Sequence, residues 1–345
     1  MAYTTINKSS SFQNQVLYTG NGNTGLAITG VNFKPDLTWI KERNQVRGHV
    51  LFDVVRGATY QFNPNSNATN VSVAESLKSF DTDGFTVGNA TSVNESGYNY
   101  VGWNWLAGGN QGSSNTDGSI NTTYTSVNTT SGISISLYTG TGSNATVGHG
   151  LGVAPKMILV KESTGSVNDW TVYHATQGNT TRGILNETNA WGSNTAWNNT
   201  TPTSSLFSIG SGSNTNRSGS TYMAYCFAEK TGYSKFGSYV GNGNSDGPFN
   251  YCGFKPAFVM AKKASDTGGW QLRDNKRTPA GNLTNNLLYA NASSAEQTTD
   301  GVDFLSNGWK LKNSAGDSNA SGATYIFMAF GQTLVGTNNI PNNAF

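Results

Sequence analysis

Charge is scarce in this chain: Asp, Glu, Lys and Arg make up 12% of its 345 residues, the formal net charge is +2, and lysine and arginine form no run. Nucleic acids and anionic membranes are recognised by clustered basic faces, so neither is an expected partner. Cysteine is scarcer still. Cys226 and Cys252 are the only two, too few for a repeated disulfide framework, and Cys226 lies in an apolar run where a buried thiol is the default. The histidines are His49, His149 and His174, and no His or Cys pair stands at the spacing of a zinc site, which needs three or four clustered ligands. No metal and no other cofactor is expected. No stretch approaches the ~20 apolar residues of a membrane span. The opening residues lack the basic patch and apolar run of a signal peptide. These absences predict a protein made in a cytoplasm and not inserted into a membrane.

What the chain does have is glycine, 42 of them, together with abundant Asn, Ser and Thr, and 11% aromatic residues. Gly and Asn supply turns that need positive φ, while Thr and aromatics suit half-buried strands. These residues recur in a pattern written three times. Each copy opens on a Tyr-led turn: Tyr18-Thr19-Gly20-Asn21-Gly22, Tyr138-Thr139-Gly140-Thr141-Gly142 and Tyr239-Val240-Gly241-Asn242-Gly243. A Pro follows 17 positions later, at Pro35, Pro155 and Pro256, and a Lys six positions after that, at Lys41, Lys161 and Lys262. Each copy closes on an aromatic strand that begins at Tyr100, Tyr222 or Tyr325. Repeats of about 100 residues are domain-sized rather than solenoid units.

The expected fold class is all-β, with three tandem antiparallel modules of the β-sandwich or jelly-roll kind. The first module spans residues 12–107, the second 132–231 and the third 232–335; a tail covers 336–345. Residues 108–131, almost wholly Gly, Asn, Ser and Thr, read as a flexible or loosely draped linker. One short stretch, Val73 to Lys78, admits a helical reading. An X-Pro step before each central strand suits a strand start, where no ladder donor is needed.

No catalytic constellation emerges. A glycosidase needs two carboxylates flanking a groove, and among Glu42, Asp53, Glu75, Glu162 and Asp274 no pair repeats at a fixed spacing. Asp53 with Arg56 matches Asp274 with Arg277, which reads as a structural ion pair, and the spacing puts Tyr173 at the corresponding place in the second module. Asp81-Thr82-Asp83-Gly84 lacks the further acids of a calcium loop and reads as a turn. The Gly-rich turns have no Lys-Ser/Thr and no helix after them, so they are not phosphate loops. Trp191 and Trp197 sit in a polar loop of the second module without apolar alternation. They are the candidate glycan contacts, with packing of the loop onto its own sandwich as the competing reading.

Several strings resemble a known family. They are Tyr18 to Gly22, Gly30 to Lys41, Val55-Arg56-Gly57-Ala58, Ser79 to Gly88 and Tyr100 to Trp105, with His149 to Lys156, Trp170 to His174 and Val335 to Pro341. Together they resemble repeated domains of virion structural proteins in tailed phages, many of them marine. The resemblance covers nearly the whole chain and carries over no catalytic residue. It implies a virion component without enzymatic activity, made in the bacterial host cytoplasm and built into the particle with other virion proteins. Two roles follow: a tail or fibre adhesin, oligomeric, that contacts host surface polysaccharide, or a capsid-decorating protein that coats the head. A polysaccharide-cleaving enzyme is the poorer third. Low charge with many amides and hydroxyls predicts assembly nearly independent of ionic strength.

Overall fold

The computed structural model describes residues 4–278 and 283–332. The expected tail at 336–345 lies outside the described residues, as do the last residues of the third repeat. The chain is all-β, and its named strand pairs are antiparallel. One strand order recurs three times. It joins Gln13–Thr19, Asn99–Trp105, Leu37–Glu42 and Val50–Asp53 in the first repeat. Ile133–Thr139, Thr221–Phe227, Met157–Glu162 and Thr171–His174 follow the same order in the second, and Ser234–Val240, Thr324–Gly331, Pro256–Lys263 and Trp270–Asp274 in the third.

Each of these sheets is buried on both faces, which is why its central strands read as unbroken apolar runs. Successive side chains point to opposite faces, so Leu37 and Trp39 look one way and Ile40 the other. On one side Ile40, Val50, Phe52 and Tyr100 pack on Ile28, Phe85 and Val87 of an outer layer. The other side faces the neighbouring repeats. There Trp39, Trp103, Trp105, Leu159, Trp170, Tyr225, Phe258, Met260 and Phe330 form one apolar cluster drawn from all three repeats. The sandwiches therefore share a core in addition to their own, an association that the spacing of the repeats does not convey.

The outer layers differ. The first is a three-stranded sheet of Leu26–Thr29, Gly84–Val87 and Leu77–Asp81, and the second pairs only Ala145–Gly148 with Leu206–Ile209. In the third, Leu283–Tyr289 and Gln297–Leu305 link inner to outer strands, so one eight-stranded sheet folds back and nearly closes on itself. Val73 to Ser76 make a turn followed by strand Leu77–Asp81, not a helix. Among the described residues the α-helices are instead single turns at Thr91–Asn94, Ser213–Asn216 and Gly316–Asn319.

Those turns explain the Tyr-led motif. Tyr18, Tyr138 and Tyr239 donate to Val93, Thr215 and Ser318 carbonyls at 2.8, 2.6 and 2.8 Å. Each stacks on its closing-strand partner Tyr100, Tyr222 or Tyr325. A buried Asn completes the corner: Asn94, Asn216 and Asn319 accept from the backbone N–H of Asn21, Thr141 and Asn242 at 2.8, 2.7 and 2.8 Å. A Cβ on Gly20 would fall 2.2 Å from the Glu95 carbonyl oxygen, and the next glycine, Gly22, has φ +73°, so both are required.

The tract at 108–131 is not a loose linker. Tyr124–Asn128 adds an edge strand to Ile133–Thr139, and Ile120 bridges Val147 while its N–H donates to the Thr146 carbonyl at 3.0 Å. Polar side chains made this possible by satisfying the backbone locally: Asp36 accepts from the N–H groups of Ala107 and Gly109 at 2.8 and 2.7 Å. Buried in this way, its carboxyl is pushed up to about 6 by desolvation.

Candidate functional site

The repeats touch through equivalent atoms. At one register position stand His49, Trp170 and Trp270, and each donates a ring N–H to a backbone carbonyl of another repeat: Tyr289, Asn63 and Ile184, at 3.0, 3.3 and 2.8 Å. At the opposite end of the same strand stand Asp53, His174 and Asp274, by their pairing with Leu37, Met157 and Phe258. Tyr225 donates to Asp53 at 2.7 Å, Trp103 to Asp274 at 2.9 Å, and His174 Nε2 bonds the Phe327 carbonyl at 3.2 Å. The second repeat thus meets the first, the third meets the second, and the first meets the third, so the contacts close a ring.

This arrangement accounts for the titratable residues. Asp53 and Asp274 hold Arg56 and Arg277 at 2.6 Å while receiving a bond from the neighbouring repeat, so both are structural. The register puts His174, not Tyr173, at the matching place, because the hairpin before it is one residue longer: Lys161 lies opposite Trp170, whereas Lys262 lies opposite Trp270. Burial is the main force on the histidines, holding His49 well below its ordinary pKa and His174 at about 4. His49 is accordingly neutral: its Nδ1 accepts from Trp39 at 2.9 Å, which leaves Nε2 as the donor to Tyr289. Lys41, Lys161 and Lys262 are buried too, and desolvation lowers each to about 8. Lys161 and Lys262 reach the Asn67 and Thr188 carbonyls across a junction at 3.1 and 3.2 Å. Cys226 and Cys252 are free and buried. Asp83 caps backbone N–H groups of Gly30 and Asn32 at 3.1 and 2.5 Å. Among the described residues no three His, Cys, Asp or Glu side chains gather as a metal site would require, and no helix is long and apolar enough to cross a membrane.

The structure buries Trp197 and half-buries Trp191. Trp197 is 1% exposed and packs edge-on against Tyr173 in the core of the second repeat. Trp191 is half-buried across a junction, its ring over Gly183 and Trp270 and its backbone N–H donating to the Ala264 carbonyl at 2.8 Å. Trp197 offers no free face to a sugar, and the Trp191 ring packs on Gly183 and Trp270. The polar letters around them suggest exposure, but the Asn194 side chain folds the loop inward by accepting from Ala196 N–H at 2.8 Å.

Exposed rings stand elsewhere, on strand Phe249–Tyr251, the last strand of the eight-stranded sheet. Phe249 is 43% and Tyr251 60% exposed, with Asn250 turned inward between them. Register matches this pair to Ala27 and Thr29 in the first repeat and to Thr146 and Gly148 in the second, so the sandwich does not need aromatics here. In the second repeat the segment ending at Ile120 covers the equivalent edge; in the third no strand among the described residues pairs with that edge. Beside Phe249 lies Lys310, paired with Asp246 at 2.8 Å. Two ring faces next to ionic and amide groups can stack on the C–H face of a sugar while hydrogen-bonding its hydroxyls, since aromatic faces carry partial negative charge. The only sequence signal was a break in the repeat: aromatic letters where the other copies have small ones.

A sequence profile described as a domain of unknown function (DUF7483) matches residues 8–333, and the chain belongs to that family. No curated protein matches it.

Proposed function

We propose that this member of the DUF7483 family is a structural protein of a tailed-phage virion, acting at the tail or fibre as an adhesin that contacts host surface glycans. The observation that carries the reading is the exposed Phe249–Tyr251 edge, unpaired among the described residues, on a closed ring of three repeats. A binding element at a particle surface must keep its shape under load, and a core shared by three sheets supplies that stiffness. The resemblance of the repeat strings to phage virion domains supports the same reading. Mass spectrometry of purified particles, with immunogold labelling, tests it: the protein is expected in the particle at the tail or fibre tips. Its absence from purified particles would overturn the assignment. An even array on the head would replace the adhesin by a capsid-decorating protein, for which that exposed strand edge would be the docking site.

A further inference from the structure

A second departure from the threefold pattern lies in the second repeat. Its strand Thr181–Ile184 pairs with Thr171–His174, and register sets Arg182 against Gln61 of the first repeat and Leu287 of the third. Both of those side chains are settled: Leu287 is fully buried, and Gln61 accepts from the Ser76 hydroxyl at 3.0 Å. Arg182 is half-buried and has one long contact, from Nη1 to the Thr171 hydroxyl at 3.5 Å. Among the described residues it joins no ion pair, whereas Arg43, Arg47, Arg56, Arg217 and Arg277 each do. Its Nε and Nη2 have no hydrogen-bond partner among the described residues and, unlike Arg56 Nη1 and Arg217 Nε, are not sealed from solvent. Burial pulls this guanidinium below its ordinary pKa, with Asp169 opposing the shift, but Asp169 accepts from Asn186 at 2.9 Å instead of pairing with it. Arg182 lines a cavity of about 200 Å³, together with Asn194, Thr195, Ser213 and Asn214.

We infer that this cavity binds an oxyanion group, a carboxylate or a sulfate or phosphate ester, carried by a small hydroxylated molecule and held by the Arg182 guanidinium. Three features select the class. A guanidinium presents donors only, in a planar fork that fits two oxygens of one anion. No carboxylate lines the cavity, so nothing in its wall neutralises that charge or repels an incoming anion. The hydroxyls of Thr195 and Ser213 and the amides of Asn194 and Asn214 share the wall, and groups that both give and accept match the hydroxyls of the carrier. A volume below the ~300–1,000 Å³ usual for small-molecule pockets suits one ring rather than a chain. The inference stands without the virion assignment and without the Phe249–Tyr251 edge.

Saturation-transfer NMR titrations of the full chain at low ionic strength test it, with probes that share one ring: glucuronate, glucose 6-sulfate, glucose 6-phosphate and uncharged glucose. At least one anionic probe is expected to bind, with glucose weaker by about tenfold or more, the scale of a charge-assisted hydrogen bond. Which anion binds best separates the carboxylate from the esters. Arg182→Gln, which installs the residue type of the first repeat, should weaken the preferred anion by about tenfold or more, with thermal melting unchanged. Ser213→Ala is the second variant. The third repeat has Gly316 at that position of its helical turn, so the fold does not need the hydroxyl, and its loss should weaken the same anion about threefold. Phe249→Ala with Tyr251→Ala should leave binding intact. No binding of any anionic probe would overturn the inference, as would equal binding of glucose, undiminished binding by Arg182→Gln or by Ser213→Ala, or loss of binding in the Phe249–Tyr251 double variant.

Discussion

Two junctions of the ring are backed by chain connectivity, and the third, between the last repeat and the first, is closed by noncovalent contacts alone. The junction of the first two repeats relies on packing and single hydrogen bonds, such as Phe62 on Trp170 and the Asn70 side-chain amide donating to the Ser163 hydroxyl at 2.8 Å. The closing junction is far more polar. Glu296 bridges Arg43 at 2.7 Å and Arg277 at 2.8 Å, and two backbone bonds, Arg47 to Ser293 and Glu296 to Arg43, run alongside at 2.8 Å. Burial alone would raise the Glu296 carboxyl, but the two guanidinium groups outweigh it and hold it below its usual range. Where connectivity keeps surfaces at high effective concentration, weak contacts suffice. Where it does not, charge-assisted and geometrically specific bonds take over.

The largest test of that contrast removes a residue that serves both core and closure. Trp103→Ala takes a ring from the shared cluster and the donor from buried Asp274, and should cost about 3–5 kcal/mol in chemical denaturation. Glu296→Gln breaks only the closing network; leaving two arginines undercompensated should cost about 3 kcal/mol. Asn70→Ala, at the connected junction, should cost about 1 kcal/mol. Equal losses for Glu296→Gln and Asn70→Ala would erase the difference between junctions.

A smaller effect comes from the three lysines. Each holds its proton more weakly in the fold, at about 8, than at the ordinary value of 10.5, so the unfolded chain binds more protons in that interval. Stability should therefore rise as pH climbs from about 8 towards 10.5 and be lost as pH falls through about 8. Melting temperatures at pH 7.5 and 9 should show a rise of a few degrees, shallower in Lys161→Met; a fall over that range would contradict the sign. The smallest effect is expected at the exposed edge, where Tyr251→Ala should change stability by no more than about 0.5 kcal/mol.

The strands and the repeat were legible because they rest on local signals: alternation, Gly and Asn punctuation, and fixed spacing from Tyr to Pro to Lys. The buried Asn of each corner was legible too, six residues before each closing Tyr, though a lone polar letter in a polar chain draws no notice. The ring was not, because its contacts join residues such as Trp103 and Asp274 that lie 171 positions apart. Trp191 and Trp197 misled for the same reason: their polar sequence neighbours are not the surfaces they pack on. The Arg182 cavity and the Phe249–Tyr251 edge became visible only when register placed Arg182 against Gln61 and Leu287 and Phe249 against Ala27 and Thr146.

The central claim is that three repeats fold as one unit around a shared core. Scanning calorimetry of the full chain tests it most directly. The account predicts a single transition whose calorimetric and van't Hoff enthalpies agree, displaced as a whole by Glu296→Gln. Two or three separable transitions, with only one of them moved by that substitution, would contradict it.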